Sequence, residues 1–159
     1  MDSYREVFVS SVEQAPLAAR HYRVVVCADV LEHTVDPRSV LGILQEAATA
    51  DARFIISLPN VAHIAGRALL LLGKFPQHES GIFDRTHLHF YTRDSAIKLI
   101  EDSGLSARLI STTPVPLEAA LPGIVPEFIQ QLAMGAQVRA ARFAPRLFGY
   151  QWLIVATRG

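Results

Sequence analysis

The stretch Arg23 to His33, RVVVCADVLEH, constrains the fold of this chain more than any other. A buried parallel strand is a short, nearly unbroken β-branched run, and Val24-Val25-Val26-Cys27-Ala28 is one, closing on acidic Asp29 where the chain turns out of the sheet. Open α/β sheets place their ligands at such turns. The nine glycines (42, 66, 73, 81, 104, 123, 135, 149 and 159) include no pair at G-x-G spacing, so the usual glycine-rich phosphate or cofactor loop is not among them.

Half of the 159 residues are apolar, enough for one domain with a real core. Fifteen Lys and Arg balance fifteen Asp and Glu, which removes the electrostatic reason to expect nucleic acid or an anionic membrane as partner and favours a small molecule or another protein. The single Cys27 lies inside the apolar strand, excludes an internal disulfide framework and suits a reducing cytoplasm. Asp2, Arg5, Glu6 and Glu13 interrupt the first twenty residues, so no signal peptide is expected, and the apolar segment Ala68 to Leu72 is too short to span a bilayer.

Strand-like and helix-like segments alternate along the chain. Val7 to Val12 reads as a short strand and Arg23 to Ala28 as a strong one. A helix follows, with Asp36 as cap, Pro37 in its first position and an apolar stripe of Val40, Leu41, Leu44, Ala47 and Ala48. Arg53 to Leu58 is a second buried strand ended by Pro59-Asn60. Ile64, Ala65, Ala68, Leu69 and Leu72 then have helical spacing up to Gly73. Thr92 caps a further helix that turns Ala96, Ile97, Leu99 and Ile100 inward and stops at Gly104. Ala107 to Thr112 and Trp152 to Thr157 read as strands, separated by a helix that opens at Pro126 and carries Phe128, Ile129, Leu132 and Ala136. This order predicts an α/β fold with a mostly parallel sheet.

RVVVCADVLEH, DPRSVL, FIISLPN, SGIFDRTHLHFYTRDS and the SGL before the next strand together resemble the second half of a class I S-adenosylmethionine-dependent methyltransferase, nearest to the ubiquinone-biosynthesis-like O-methyltransferases. The resemblance runs from about Val7 to Thr157. It implies a truncated Rossmann-like sheet of order 3-2-1-4-5-7-6 with an antiparallel last strand. This chain would hold strands three to seven as a single domain and lack the first two, together with the glycine-rich turn and the acidic ribose contact they carry. The implied cofactor is S-adenosylmethionine. Ala28 and Asp29 match positions that line it, and Ser11 and Val12 match the loop that brackets the adenine, with Ser11 where the family usually has an acid.

By the same resemblance Asp29, Glu32 and His33 match an acid, acid and histidine that can hold a divalent cation. The donor types suit a hard-to-borderline metal. Two other readings stay open: Glu32 and His33 fix the loop that enters the Asp36 helix, or His33 acts as general base on a hydroxyl. His87 is the second candidate catalytic histidine. If its segment is extended, His87 and His89 project to one side and could bind metal or contact a substrate acid, with His78 upstream. The resemblance implies instead that Phe90 and Tyr91 pack over the substrate side at the entry to the Thr92 helix. Asp84 with Arg85 reads as a local ion pair or a solvated turn, and Asn60 as a substrate contact or a partner of the Pro59 bend.

A sheet lacking its first strands would leave the Arg23–Ala28 strand with an unpaired edge, which favours a dimer, another partner chain, or Val7 to Val12 in the vacant slot. Three functions follow: methyl transfer to a small-molecule acceptor, impaired in the isolated chain; a non-catalytic interaction or regulatory module; or one half of a split enzyme.

Overall fold

The computed structural model describes residues 12–15, 17, 21–116 and 127–159. Four strands form one sheet in the order β1-β2-β4-β3: β1 (Tyr22–Ala28), β2 (Ala48–Pro59), β3 (Leu105–Thr113) and β4 (Gln151–Arg158). β1 and β2 run parallel, with Val25 opposite Phe54 and Cys27 opposite Ile56, while β4 is antiparallel to both β2 and β3. Three strands therefore share one direction and the last opposes them. This is the mostly parallel α/β sheet that the element order predicts, with the antiparallel final strand that the resemblance implies.

Alternation along the strands fixes which face is dry. Val25 and Cys27 of β1, Phe54, Ile56 and Leu58 of β2, and Trp152, Ile154 and Ala156 of β4 are buried in one cluster. Val40 and Leu41 of α1 (Pro37–Ala47) and Ala96, Leu99 and Ile100 of α3 (Arg93–Asp102) complete it. Both helices begin at the predicted caps. Asp36 accepts from the N–H groups of Arg38 and Ser39 at 3.0 and 3.2 Å, with Pro37 behind it. Thr92 and Ser95 exchange side-chain and backbone bonds in a capping box. On the opposite face Val24 and Val26 are 55% and 63% exposed, and β1 is the edge strand among the described residues.

Several expectations are corrected. Val12 belongs to a 3-10 turn, Val12–Gln14, and the rest of the proposed first strand lies outside the described residues. Ala48 ends no helical stripe: the chain passes straight from α1 into β2, five residues before Arg53, with Ala48 opposite Tyr22 of β1 and the Ala47 carbonyl accepting from His21 N–H. α2 (Ile64–Leu71) exists, but Ile64, Ala65, Ala68 and Leu72 are exposed. It docks instead through Gly66, where a Cβ would stand 2.6 Å from the Val61 carbonyl oxygen, so close an approach that only glycine fits. α4 (Glu127–Phe143) likewise leaves Ile129 and Leu132 exposed, and a short α5 (Pro145–Phe148) leads into β4.

Candidate active site

The turn out of β1 is held by partners far away in sequence. Asp29 adopts φ +52°, a left-handed conformation that Asp tolerates better than most residues. Its N–H donates to Ser57 Oγ at 3.0 Å, and the Ser57 hydroxyl donates back to Asp29 Oδ1 at 3.0 Å. Gln151 Nε2, at the start of β4, stands 2.9 Å from each carboxylate oxygen. The tip of β1 is thus tied to β2 and β4, and the Asp29 carboxylate is occupied by protein donors.

Next the chain makes a 3-10 turn, Leu31–His33, that buries Leu31 and Glu32 completely. The N–H groups of Leu88 and His89 both donate to the Glu32 carbonyl, at 2.7 and 3.1 Å, and so clamp the 84–89 loop over this turn. His33 Nδ1 lies 3.3 Å from the Thr86 carbonyl and 3.0 Å from Thr86 Oγ1. A carbonyl only accepts, and the Thr86 hydroxyl proton is directed to Asp84 Oδ1 at 2.6 Å. His33 Nδ1 must therefore carry the proton, which leaves the Nε2 lone pair free. His87 Nδ1 lies 3.2 Å from the Ile82 carbonyl and is fixed in the same tautomer. The two imidazoles meet edge to face, with centroids 4.7 Å apart.

Glu32 is the site's most costly group. Its side chain is fully buried, and neither carboxylate oxygen has a hydrogen-bond partner among the described residues. Burial pushes its pKa up to about 7, opposed by its own backbone N–H, with the Asp29 charge raising it further and His33 lowering it. Burial also holds His87 below the ordinary imidazole range, partly offset by the Ile82 carbonyl. The bonds from Thr86 lower Asp84. One donor atom from each of Glu32, His33 and His87 lies within 4.8 Å of the others. They open, with Asp29, Asp84 and Tyr150, onto a cavity of about 190 Å³.

The structure therefore gathers Asp29, Glu32, His33 and His87 at one cavity. The three donors that converge are Glu32, His33 and His87 rather than Asp29, Glu32 and His33, because Gln151 and Ser57 already hold the Asp29 oxygens. His87 and His89 do not form a pair. The segment is a loop, and His89 Nε2 turns to the Val35 carbonyl at 3.4 Å. His78 joins the loop through its backbone, which bonds to Phe83 and Arg85. Arg85 pairs with Glu79 at 2.8 Å rather than with Asp84. Asn60 is buried and structural, its amide donating to the Gly149 carbonyl at 2.8 Å and accepting from Ala62 N–H at 3.1 Å. Tyr91 is core, whereas Phe90 joins Phe75 and Phe83 in a ring cluster that reaches His87. Ala28 ends β1 on its exposed side, and Ser11 lies outside the described residues. Ser57, Thr86, Tyr150 and Gln151 carry no local signal: Gln151 opens a strand 122 positions from the carboxylate it holds.

An open α/β sheet with its ligand cavity beyond the carboxyl ends of two parallel strands defines a Rossmann-like domain. The profile of the methyltransferase domain family matches residues 3–109, more than half of the chain, and the chain belongs to that family. No curated protein sequence matches it. Among solved structures it is similar to a SAM-dependent methyltransferase of Thermotoga maritima (TM-score 0.59, 14% identity, 94% of this chain and 62% of that one). It is also similar to a SAM-dependent methyltransferase of Archaeoglobus fulgidus (0.55, 17%, 96% and 66%). A third likeness is to magnesium protoporphyrin IX methyltransferase of Synechocystis, solved with bound SAH (0.53, 18%, 94% and 49%). At these identities the likeness establishes the fold, and the chain spans from about half to just under two thirds of each of these structures.

Proposed function

We propose that this chain forms the acceptor side of an S-adenosylmethionine-dependent methyl transfer to a small molecule, with His33 as general base. The observation that carries the reading is the fixed tautomer of His33, whose free Nε2 stands beside buried Glu32 at the ligand end of the sheet. Bound S-adenosylmethionine supplies an electrophilic methyl on a sulfonium. By the resemblance, Ala28 and Asp29 line the cofactor and Val12 belongs to the loop that brackets its adenine. His33 Nε2 takes the proton of an acceptor hydroxyl, and the resulting charge on the ring is shared through Nδ1–H with Thr86 and thence Asp84. As the alternative to base catalysis by His33, Glu32, His33 and His87 fit a divalent cation, since a buried carboxylate without a partner among the described residues and two Nε2 lone pairs are the donors such an ion takes, and the His33 lone pair then holds the ion instead of a proton. When present, the ion would lower the pKa of the acceptor oxygen.

Calorimetric titration with S-adenosylmethionine tests the reading. Binding in the micromolar to low millimolar range is expected, and His33→Ala should leave that affinity intact while slowing methyl transfer to phenolic or carbon acceptors by roughly a hundredfold or more. No heat at millimolar ligand would instead favour a non-catalytic interaction module, or half of a split enzyme that needs a partner chain.

A specific observation favours association. β1 is an edge strand among the described residues and presents exposed Val24 and Val26. We propose that a second copy or a partner chain covers this edge. Sedimentation should then reveal a concentration-dependent dimer that Val26→Lys disperses, whereas a strict monomer at high concentration would remove the proposal.

A further inference from the structure

Trp152 and Gln151 are neighbours on β4, so their side chains leave opposite faces of the sheet. Gln151 belongs to the cavity described above. Trp152 belongs to two others, of about 470 and 160 Å³, both of which also include Arg93 at the start of α3. The charge in these two cavities is one-sided. The larger adds Arg142 from α4, the smaller adds Arg67 and Arg146, and Asp94 is the one carboxylate. Asp94 already accepts from Arg146 at 2.9 Å and lies 3.6 Å from Arg93, and Arg67 Nε is spent on the Ala62 carbonyl at 2.7 Å. Arg142 forms no hydrogen bond or ion pair with the described residues. For a chain with no net charge this is a strong local excess of guanidinium groups.

Trp152 itself is 1% exposed, and its indole Nε1–H is buried without an acceptor among the described residues. An indole N–H can only donate, and the arginines around it can only donate, so these side chains cannot satisfy one another. The missing partner is an acceptor, and a negatively charged one suits the arginines as well. Thr112, opposite Trp152 in the sheet, and Ile110 lie on the same face as the indole, and Ile110 and Val138 make part of the wall apolar.

We propose that these adjoining cavities, walled by Trp152, Arg93 and Arg142, bind a small organic anion, a carboxylate or phosphate monoester that carries an apolar group. The anionic oxygens lie between the two guanidinium groups beside the Trp152 ring, and the apolar group rests against Ile110 and Val138. This site is separate from the one at Asp29 and does not depend on methyl transfer.

Trp152 is the chain's one tryptophan, so a ¹H–¹⁵N spectrum holds one indole cross-peak and reads this N–H directly. Titration with benzoate and with phenyl phosphate should move that peak saturably, the tighter of the two assigning the head group, while benzyl alcohol leaves it in place. Arg142→Gln and Arg93→Gln should each weaken binding roughly tenfold, with the backbone amide pattern retained as proof of folding. A peak that does not move saturably up to ~10 mM of either anion, that responds equally to benzyl alcohol, or that reports unchanged affinity in both variants would overturn the proposal.

Discussion

Phe54→Ala is expected to cost about 3–5 kcal/mol of folding stability. The side chain is fully buried in the middle of β2, and its direct neighbours across the sheet are Val25 on one side and Ala156 on the other. Both are small, and both sit on strands held by the sheet's own ladder, so neither can move in to fill the space the ring leaves. A cavity that does not collapse costs the lost dispersion contacts as well as the transfer free energy. Against a total stability of roughly 5–15 kcal/mol for a domain, this approaches the limit of folding. Urea unfolding followed by circular dichroism would measure it. Leu71→Ala, at an 88% exposed position, serves as the control and should stay within about 0.5 kcal/mol. A Phe54 variant that loses less than about 1 kcal/mol would mean that the strand repacks.

Glu32→Gln is expected to change how stability depends on pH by about 3 kcal/mol between pH 4.5 and pH 8. Burial raises the folded-state pKa from 4.5 to about 7. A carboxyl raised in the folded state favours folding while it is protonated, so its contribution is complete below the unfolded value and is lost as pH climbs through the folded one. The wild-type protein should therefore weaken across this window while the glutamine variant, which has no proton to lose, does not. The comparison uses the slopes of the two curves, because glutamine's own buried amide adds a cost that does not vary with pH. His87 acts in the opposite direction. Its depressed pKa contributes stability that is present above about pH 6.5 and is lost on acidification. Denaturant midpoints recorded at half-unit pH steps would separate the two groups. Parallel pH profiles for wild type and Glu32→Gln would show that the carboxylate is solvated after all. Zinc or manganese added at pH 8 should restore the wild-type midpoint and leave that of the variant unchanged, because the ion compensates a carboxylate that only the former has.

These groups differ in how far they could be read from the chain alone. Val24 to Ala28, the Asp36-Pro37 start and the Thr92 cap were legible because each is a local event: a strand's apolar run, or a side chain bonding to an N–H two or three residues away. DVLEH and THLHFYT marked the right neighbourhoods for Glu32, His33 and His87. Helical spacing misled for α2, whose apolar stripe faces outward, because docking there is decided by backbone contact at Gly66 and not by the leucines. The resemblance implied the order four-five-seven-six that β1-β2-β4-β3 follows, but no local signal within the strands themselves fixes that order. β4 lies between β2 and β3 only because the chain returns antiparallel, and that return carries Gln151 to Asp29.

Sequence by itself determined the class of fold, the helix starts and the stretch that carries the acidic turn, since periodicity and capping act over a few residues. Tertiary structure alone decided that Glu32 has no partner among the described residues, that Thr86 orients His33, and that His87 rather than His89 faces the cavity. The physical reason is that desolvation and proton position depend on what stands opposite a side chain in space, and here those groups come from segments some fifty to one hundred and twenty positions away.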